Sequence, residues 1–180
     1  SNHALKSVYS IRLDGVGEHA CVKRLADLPC TVDNMAVAQS EGNVFVVGGN
    51  HDGKPSADVL ALNLNAANPS WSNIGSMPGN ARVQPVAAAL DGKLYVWGGF
   101  FANGGRSEVH TTGCCMNIAT GKWTSVAAPK SVEGREMTLA GGIAWTFNGK
   151  IYATGGVNKD IFLDAISGRY ELVKQSDYLN

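Results

Sequence analysis

One short pattern occurs three times in this chain of 180 residues. Each copy has a turn glycine, then a run of mostly apolar residues and, six positions after the turn glycine, a pair of glycines; the copies span residues 42–49, 92–99 and 149–156. A repeat with a period of about fifty residues is typical of chains that stack one small structural unit several times. The repeat therefore constrains the fold more than any other feature does.

Each copy predicts a β-hairpin with a close contact at its end. In two copies the turn reads Asp91-Gly92 and Asn148-Gly149, and these dipeptides favour a tight hairpin because glycine adopts a positive φ without steric cost. The run that follows is rich in Val, Tyr, Phe and Trp, which favour a buried strand. A glycine pair removes two side chains where a neighbouring segment must come close. The sequence therefore predicts a repeated β-module.

The residues between the glycine pairs predict four strands in each full repeat. We expect the strands of the first repeat over 34–39, 43–47, 58–64 and 71–74, and those of the second over 83–90, 94–97, 109–117 and 123–126. A polar loop in the first repeat and a glycine-rich loop in the second separate the second strand from the third. The third copy of the pattern supplies two strands, 138–147 and 151–154, and residues 7–29 read as the last two strands of a repeat.

The repeat resembles the kelch repeat, which forms one blade of a β-propeller. The shared features are four short antiparallel strands, a double glycine after the second strand and a tryptophan on the fourth. Trp71 and Trp123 are the two tryptophans, although the tyrosine expected before each is replaced. The resemblance implies an all-β, kelch-type β-propeller with about three to three and a half four-stranded blades of an expected six. Within this single partial propeller we expect the second half of a blade at 7–30, blades at 31–78 and 79–129, the first half of a blade at 130–166, and an irregular tail at 167–180.

The two ends of the chain read as complementary half-blades. Either the chain is a fragment of a longer one, or copies of it pair to complete the ring. An open stack would leave apolar faces and strand edges uncovered. We favour the fragment; the remaining half of the propeller is a candidate partner.

Composition excludes several classes of partner. The chain has 15 basic and 15 acidic side chains without a basic block, so we expect no nucleic-acid partner. No apolar run approaches the roughly 20 residues that span a bilayer, so we expect no membrane partner, and the N-terminal residues lack the pattern of a signal peptide.

Cysteine and histidine spacings do not fit a metal site, so we expect no metal, and the four scattered histidines give no support to a copper oxidase. Residues 48–54 match a phosphate-binding loop, but Pro55 replaces the residue that would hold Mg²⁺.

Strand direction predicts which end of the blades holds a ligand site. The segment that leads into the first strand of a blade, here called its lead-in segment, lies at the same end as the loop after the second strand. These segments and loops contain charged, amide and aromatic side chains, whereas the opposite hairpin tips contain mostly turn residues. Propellers usually bind ligands where such segments converge on the axis. We therefore expect the site at this end.

A closer resemblance rests on residues 155–162, Gly-Gly-Val-Asn-Lys-Asp-Ile-Phe, which follow an Asn-Gly-Lys hairpin. They resemble the N-acetylneuraminate epimerase (sialic acid mutarotase) family. Arg82-x-Gln84 is similar to an Arg-Asp-Gln segment of that family, and residues 30–35 and 50–56 resemble its circularly permuted branch. The resemblance implies a six-bladed isomerase of the periplasm that interconverts the α and β anomers of sialic acid. It also implies a catalytic glutamate in a later blade, beyond Asn180.

Mutarotation removes a proton from the anomeric hydroxyl and delivers one to the ring oxygen, which is general acid–base work that needs no cofactor. Within this chain Glu136 and His51 are the catalytic candidates. An arginine can grip the carboxylate of sialic acid with two hydrogen bonds; Arg82 is the first candidate, and Arg135 or Arg106 the second. We expect replacement of Arg82 by Ala to leave folding nearly intact.

The remaining candidates are neutral side chains at the same end. Asn34, Gln84 and Asn158 would hold hydroxyls or the N-acetyl group, and Phe100 would pack against an apolar face of the sugar. Simpler interpretations stay open at this point: the arginines pair with surface carboxylates, Glu136 pairs with its neighbour, His51 is an ordinary loop histidine, and Phe100 packs between blades. The alternative function is a non-catalytic kelch propeller that acts as a protein- or glycan-binding module.

Overall fold

The computed structural model describes residues 4–13 and 19–157. Asn158 and the expected tail at 167–180 lie outside these residues. All regular secondary structure in the described ranges is β, so they contain no helix long and apolar enough to cross a membrane. The first two strands, β1 (Tyr9–Leu13) and β2 (Ala20–Arg24), pair as an antiparallel hairpin.

Two four-stranded sheets follow, each with a small hairpin inserted after its second strand. The strands up to the end of the first sheet are β3 (Val32–Asp33), β4 (Ala36–Ser40), β5 (Asn43–Val47), β6 (Asn50–His51), β7 (Lys54–Pro55), β8 (Asp58–Asn63) and β9 (Trp71–Ser76). The second set is β10 (Val86–Leu90), β11 (Lys93–Trp97), β12 (Phe100–Asn103), β13 (Arg106–Val109), β14 (Gly113–Asn117) and β15 (Trp123–Val126). The last described hairpin is β16 (Ile143–Phe147) and β17 (Lys150–Thr154).

The first unit has the strand order β4-β5-β8-β9 and the second β10-β11-β14-β15, and every neighbouring pair within them is antiparallel. Each unit is therefore a meander in which sequence neighbours are also neighbours in the sheet. The final hairpin has the position of the first two strands of a third unit, because β16 packs beside β10 as β10 packs beside β4.

Two features of the strand prediction are wrong. The span 109–117 is not one strand, because β13 ends at Val109 and β14 begins at Gly113. The polar and glycine-rich loops are hairpins, β6–β7 and β12–β13. The chain must turn between the inserted hairpin and the third strand, and the backbone N–H of His110 donates to the carbonyl of Gly99 at that point (2.9 Å).

The first strands of the units also begin later than predicted. β10 begins at Val86 rather than at residue 83, and β16 at Ile143 rather than at residue 138. The residues before them pair instead with the segment that follows the glycine pair: Val83 bridges to Phe100, and Ala140 bridges to Val157. The residues before each strand and the strand itself are both paired as β-structure. Alternation in the sequence therefore does not mark where one pairing stops and the next begins.

The larger of two hydrophobic clusters in the described residues lies between the two units. Alternate residues of each sheet face the neighbouring sheet, and those at the centre of this contact are almost completely buried. The side chains that meet are Phe45, Val47 and Val59 of the first unit with Leu94, Val96, Cys114 and Met116 of the second. Burial raises the pKa of the Cys114 thiol to about 11, which makes this cysteine a packing residue rather than a reactive one.

The second glycine of each pair lies against the lead-in segment of its own unit. A Cβ on Gly99 would come within 2.7 Å of the carbonyl oxygen of Val83, and a Cβ on Gly49 would overlap the carbonyl oxygen of Asp33. Both glycines also have positive φ, +81° and +83°, where other residues are strained. The two requirements together explain why glycine occupies this position.

In the pairs at 48–49 and 98–99, the first glycine has a different neighbour. A Cβ on Gly48 would overlap the carbonyl oxygen of Arg82, and a Cβ on Gly98 would overlap that of Thr138. Both of these neighbours belong to the lead-in segment of the next unit. The glycine pair is thus the point at which the backbones of two consecutive units touch.

Candidate functional site

The lead-in segments meet side by side, and backbone hydrogen bonds connect equivalent residues of consecutive units. We call this row of connected residues the line of convergence. Asn34, Gln84 and Gly141 each precede the second glycine of a pair by the same number of residues (34 to 49, 84 to 99, 141 to 156). The backbone N–H of Gln84 donates to the carbonyl of Asn34 (2.7 Å), and that of Gly141 donates to the carbonyl of Gln84 (3.0 Å). All three residues have positive φ, 53°, 53° and 76°. This backbone conformation recurs in every described unit, although two of the residues are not glycine.

Side-chain amides and one carboxylate form a network beside this backbone chain. Nε2 of Gln84 donates to Oδ1 of Asn34 (3.2 Å), and Nδ2 of Asn34 donates to Oδ1 of Asp33 (2.6 Å). Nδ2 of Asn50 donates to the same Asp33 oxygen (2.7 Å). We call Asp33, Asn34, Asn50 and Gln84 the amide cluster. Non-glycine residues held at positive φ occur preferentially at functional sites, because their strain is maintained only where the surrounding structure requires it.

Asn34 and Gln84 are both site residues predicted from the sequence, and the structure brings these two together. Asp33 and Asn50 have no predicted role, although both lie in polar segments at the same end. Their positions in the repeat could have identified them. Asn50 directly follows a glycine pair, and Asp33 directly precedes Asn34, which lies on the line of convergence.

Arg82 lies below this surface, with its side chain only 5% exposed. Its Nη1 donates to the carbonyls of Gly98 (2.8 Å) and Thr112 (3.0 Å). Its Nε is buried and has no hydrogen-bond partner among the described residues. Burial lowers the pKa of the guanidinium, with Cys114 and Glu108 acting in the opposite direction. The interpretation of Arg82 as a partner of a surface carboxylate is wrong, since its described partners are backbone carbonyls.

A buried histidine accompanies Arg82. His110 places Nε2 3.2 Å from the carbonyl oxygen of Ala81 and Nδ1 3.3 Å from a carboxylate oxygen of Glu108. Burial lowers the pKa of His110, and the charge of Arg82 lowers it further, whereas Glu108 raises it. The other Glu108 oxygen accepts from Nδ2 of Asn80 (2.6 Å). These contacts fasten the lead-in segment of the second unit to its inserted hairpin.

Glu136 and Arg135 lie in the lead-in segment of the third unit. Oε2 of Glu136 accepts a hydrogen bond from the hydroxyl of Thr111 (2.7 Å), which joins this segment to the second unit. Arg135 is exposed and forms no ion pair with any residue in the described part of the chain. The alternative in which these two neighbours simply form an ion pair is therefore wrong.

The other candidates lie in the inserted hairpins. His51 is half-buried, with Nε2 3.1 Å from the carbonyl oxygen of Gly48. Phe100 is half-buried at the start of β12, and its backbone exchanges two hydrogen bonds with Val83 (2.7 and 2.8 Å). Arg106 is exposed at the start of β13. Asn158 is outside the described residues, so its position relative to the amide cluster stays a prediction.

A groove of about 460 Å³ runs between the first strands of the units. Its walls come from β4, β10 and β16, and they are mostly apolar; among the lining residues are Val37, Ala88 and Trp145. The amide cluster contributes Asn34 and Gln84 immediately before two of these strands. The amide cluster thus lies at the beginning of strands that line the apolar groove.

The fold is that of a partial kelch-type β-propeller. Its antiparallel four-stranded units have first strands that line a common groove, and each of these units has a glycine pair that touches the next unit. The family model for N-acetylneuraminate epimerase matches residues 20–175, and the chain belongs to that family. Both the fold class and the family predicted from the sequence are confirmed.

Similar proteins support this assignment over part of their own length. The N-acetylneuraminate epimerases of Shigella flexneri serotype 5b (strain 8401) and Escherichia coli (strain K12) are each 35% identical to this chain over 102 residues, which is 56% of this chain and 26% of theirs. The solved structure of YjhT is 29% identical and superposes with a TM-score of 0.66 over 85% of this chain and 42% of its own. The chain thus matches about a quarter of the length of these epimerases and less than half of that structure.

Proposed function

We propose that the complete protein is a mutarotase that interconverts the α and β anomers of N-acetylneuraminate by general acid–base catalysis. The observation that carries the proposal is the amide cluster, which lies where the lead-in segments of an epimerase-family propeller converge. Amide and carboxylate groups donate and accept hydrogen bonds to hydroxyls, which is the chemistry that a sugar acid requires. The proposal includes a periplasmic location, which rests on the family resemblance.

Each candidate residue has a distinct task in this proposal. Asn34 and Gln84 bind hydroxyls or the N-acetyl group. Arg82 is the first candidate for the carboxylate, through guanidinium hydrogens other than those of Nη1, since Nη1 already donates to two carbonyls. Glu136 and His51 take part in proton transfer, together with the glutamate that the family resemblance implies beyond Asn180.

Two further substrate contacts belong to the same proposal. Phe100 packs against an apolar face of the sugar. Arg135 or Arg106 is the second candidate for the carboxylate; both are exposed at the end of the blades where the lead-in segments lie. Asn158 would add an amide from the third unit.

The deciding experiment follows anomer exchange in N-acetylneuraminate freshly released as the α anomer, by proton NMR, with the protein extended to the length of its relatives. We expect the α signal to decay faster than it does spontaneously. An unchanged decay would overturn the mutarotase proposal; if sialic acid nevertheless binds, the glycan-binding module becomes the better description.

Gln84→Gly separates binding from folding in the same assay. We expect the catalysed exchange rate at low substrate to fall by about two- to tenfold, because one hydrogen bond of about 0.5–1.5 kcal/mol is lost. The free energy of unfolding should change by less than about 1 kcal/mol, since glycine adopts the observed φ without strain.

Asp91→Gly is the matched control for this variant. Asp91 also has positive φ, 49°, but it lies in the β10–β11 hairpin turn, at the opposite end of the blade. We expect it to leave the exchange rate unchanged. Equal losses in the two variants would contradict a binding role for Gln84.

We also propose that further blades cover both ends of this partial ring. On β16, Ile143 and Phe147 are 63% and 61% exposed, and they alternate with residues that face the second unit. The residue of the second unit equivalent to Ile143 is Val86, which is 1% exposed and lies on β10, the strand that packs beside the final hairpin. The first hairpin exposes Ile11 and other apolar residues in the same way.

The double substitution Ile143→Thr, Phe147→Thr tests this coverage. In the extended protein we expect the free energy of unfolding to fall by about 3 kcal/mol or more, because a buried apolar side chain contributes about 1.5–3 kcal/mol. In the 180-residue chain the loss should stay below about 1 kcal/mol. Val132→Thr, at a fully exposed position, should be neutral in both. Equal losses in the two lengths of chain would show that no blade covers this face.

A further inference from the structure

Asp33 occupies a position that no other described unit fills with an acid. The equivalent residues, one place before Gln84 and Gly141, are Val83 and Ala140. The Asp33 side chain is half-buried, and the carbonyl of the same residue lies against Gly49. The carboxylate is therefore carried by a segment whose backbone position leaves little room for movement.

The two oxygens of Asp33 have different surroundings. Oδ1 accepts from Nδ2 of Asn34 (2.6 Å) and from Nδ2 of Asn50 (2.7 Å). Within the described ranges, these are the hydrogen bonds that the side chain of Asp33 makes, and both fall on the same oxygen. Oδ2 remains available as an acceptor, next to amide groups that still have N–H hydrogens to donate.

Other carboxylates at this end of the blades are engaged differently. Both oxygens of Glu108 contact protein groups, one the side chain of Asn80 and the other the ring of His110. Within the described residues Asp52 also accepts on Oδ1 alone, but from the backbone N–H and the hydroxyl of Thr31 (3.0 and 2.9 Å), so it anchors a loop. Asp33 instead shares its hydrogen bonds with the side chains already proposed to meet the ligand.

We propose that Asp33 determines the specificity of the site for polyhydroxylated sugar acids. Its Oδ2 accepts the hydrogen of one ligand hydroxyl, and an amide N–H of the amide cluster donates to the oxygen of the same hydroxyl or of its neighbour. A ligand that lacks this hydroxyl leaves the carboxylate oxygen without a donor, which costs more than the loss of a neutral contact. This inference rests on the proposed function, because it assumes that the amide cluster binds the substrate.

Asp33→Asn tests the proposal in the protein extended to the length of its relatives. The variant can keep the oxygen that accepts from the two amides and replaces Oδ2 with a donor. We expect calorimetry to show N-acetylneuraminate binding weakened about tenfold to a hundredfold, as is typical for a hydrogen bond to a charged group. The exchange rate at saturating substrate should remain within about threefold of the wild type, since a specificity residue changes KM rather than kcat. Asp52→Asn should change neither quantity.

A series of monodeoxy N-acetylneuraminates identifies the hydroxyl. In the wild-type protein we expect one member of the series to bind at least about tenfold more weakly than the parent sugar, and this difference should disappear in Asp33→Asn. If Asp33→Asn fails to fold, the series is measured on the wild type, and equal affinity for every member would overturn the role of Asp33.

The outcomes distinguish this inference from the proposed function. A wild-type protein that does not accelerate anomer exchange would overturn the mutarotase proposal. A wild-type protein that accelerates exchange, together with an Asp33→Asn variant of unchanged affinity, would overturn only the role of Asp33. Equal weakening by Asp33→Asn and Asp52→Asn would also overturn it, because it would indicate a general charge effect.

Discussion

Replacement of Gly98 by Ala is expected to lower the free energy of unfolding by about 4 kcal/mol or more, or to prevent folding. A Cβ at this position would overlap the carbonyl oxygen of Thr138, which belongs to the backbone and cannot rotate away. The residue also has a φ of +65°, which adds the strain of a left-handed conformation. Losses of this size are rare among single substitutions and require a specific mechanism; here the mechanism is the separation of two consecutive units. Urea unfolding followed by tryptophan fluorescence measures the effect.

Gly121→Ala is the matched control. Gly121 has nearly the same φ, +70°, but a Cβ there would meet nothing within 4 Å. We expect this variant to lose only about 1–2 kcal/mol, the cost of the left-handed conformation for a residue with a Cβ. The difference between the two variants isolates the contact between units. Equal losses would mean that backbone conformation, and not this contact, explains the first glycine of the pair.

Replacement of Arg82 by Ala is expected to cost about 3–5 kcal/mol of the free energy of unfolding. The side chain is buried, and Nη1 is the donor to the carbonyls of Gly98 and Thr112. Removal leaves the buried carbonyl of Gly98 without that donor, at about 1–3 kcal/mol, removes a partly buried hydrogen bond to Thr112, and opens a cavity where the side chain packed. From the sequence alone we expected this substitution to leave folding nearly intact. The structure instead predicts a large loss of stability.

Two further variants separate the causes of that loss. Arg82→Met keeps most of the packing volume and removes both hydrogen bonds, so we expect an intermediate loss. Arg135→Ala removes an exposed guanidinium and should cost less than about 0.5 kcal/mol. If Arg82→Ala were as mild as Arg135→Ala in chemical denaturation, the guanidinium would not hold these carbonyls in solution.

The positions of most strands could be predicted because the signals are local. The run at 43–47 and the run at 123–126 form strands with the predicted bounds, since a turn glycine or a tryptophan marks where each begins. The inserted hairpins were missed, because β6–β7 and β12–β13 are short and polar and resemble loops when only alternation is considered. Their formation depends on partners such as Val83, which pairs with Phe100 across the unit.

The candidate site was predicted less completely than the fold. The polar end of the blades, and the contact of Asn34 with Gln84, agree with the structure. The burial of Arg82 does not agree with the alternative in which it pairs with a surface carboxylate, because burial depends on how two segments pack and not on residue type. Asp33 and Asn50 received no role, since their contact becomes visible only when the inserted hairpin folds back over the lead-in segment.

By itself, the amino-acid sequence determined the repeat, the all-β class, the family and the end of the blades that carries polar groups. These depend on turn glycines, alternation and short motifs, all of which act within a few residues of the chain. Only the tertiary structure decided that Arg82 is buried against two backbone carbonyls, that Asp33 joins the amide cluster, and that the glycine pairs at 48–49 and 98–99 touch the next unit. The reason is physical: Asn34 and Gln84 are 50 residues apart in the chain, and Arg82 and Thr112 are 30 apart. Contacts over such separations follow from the packing of whole units against one another.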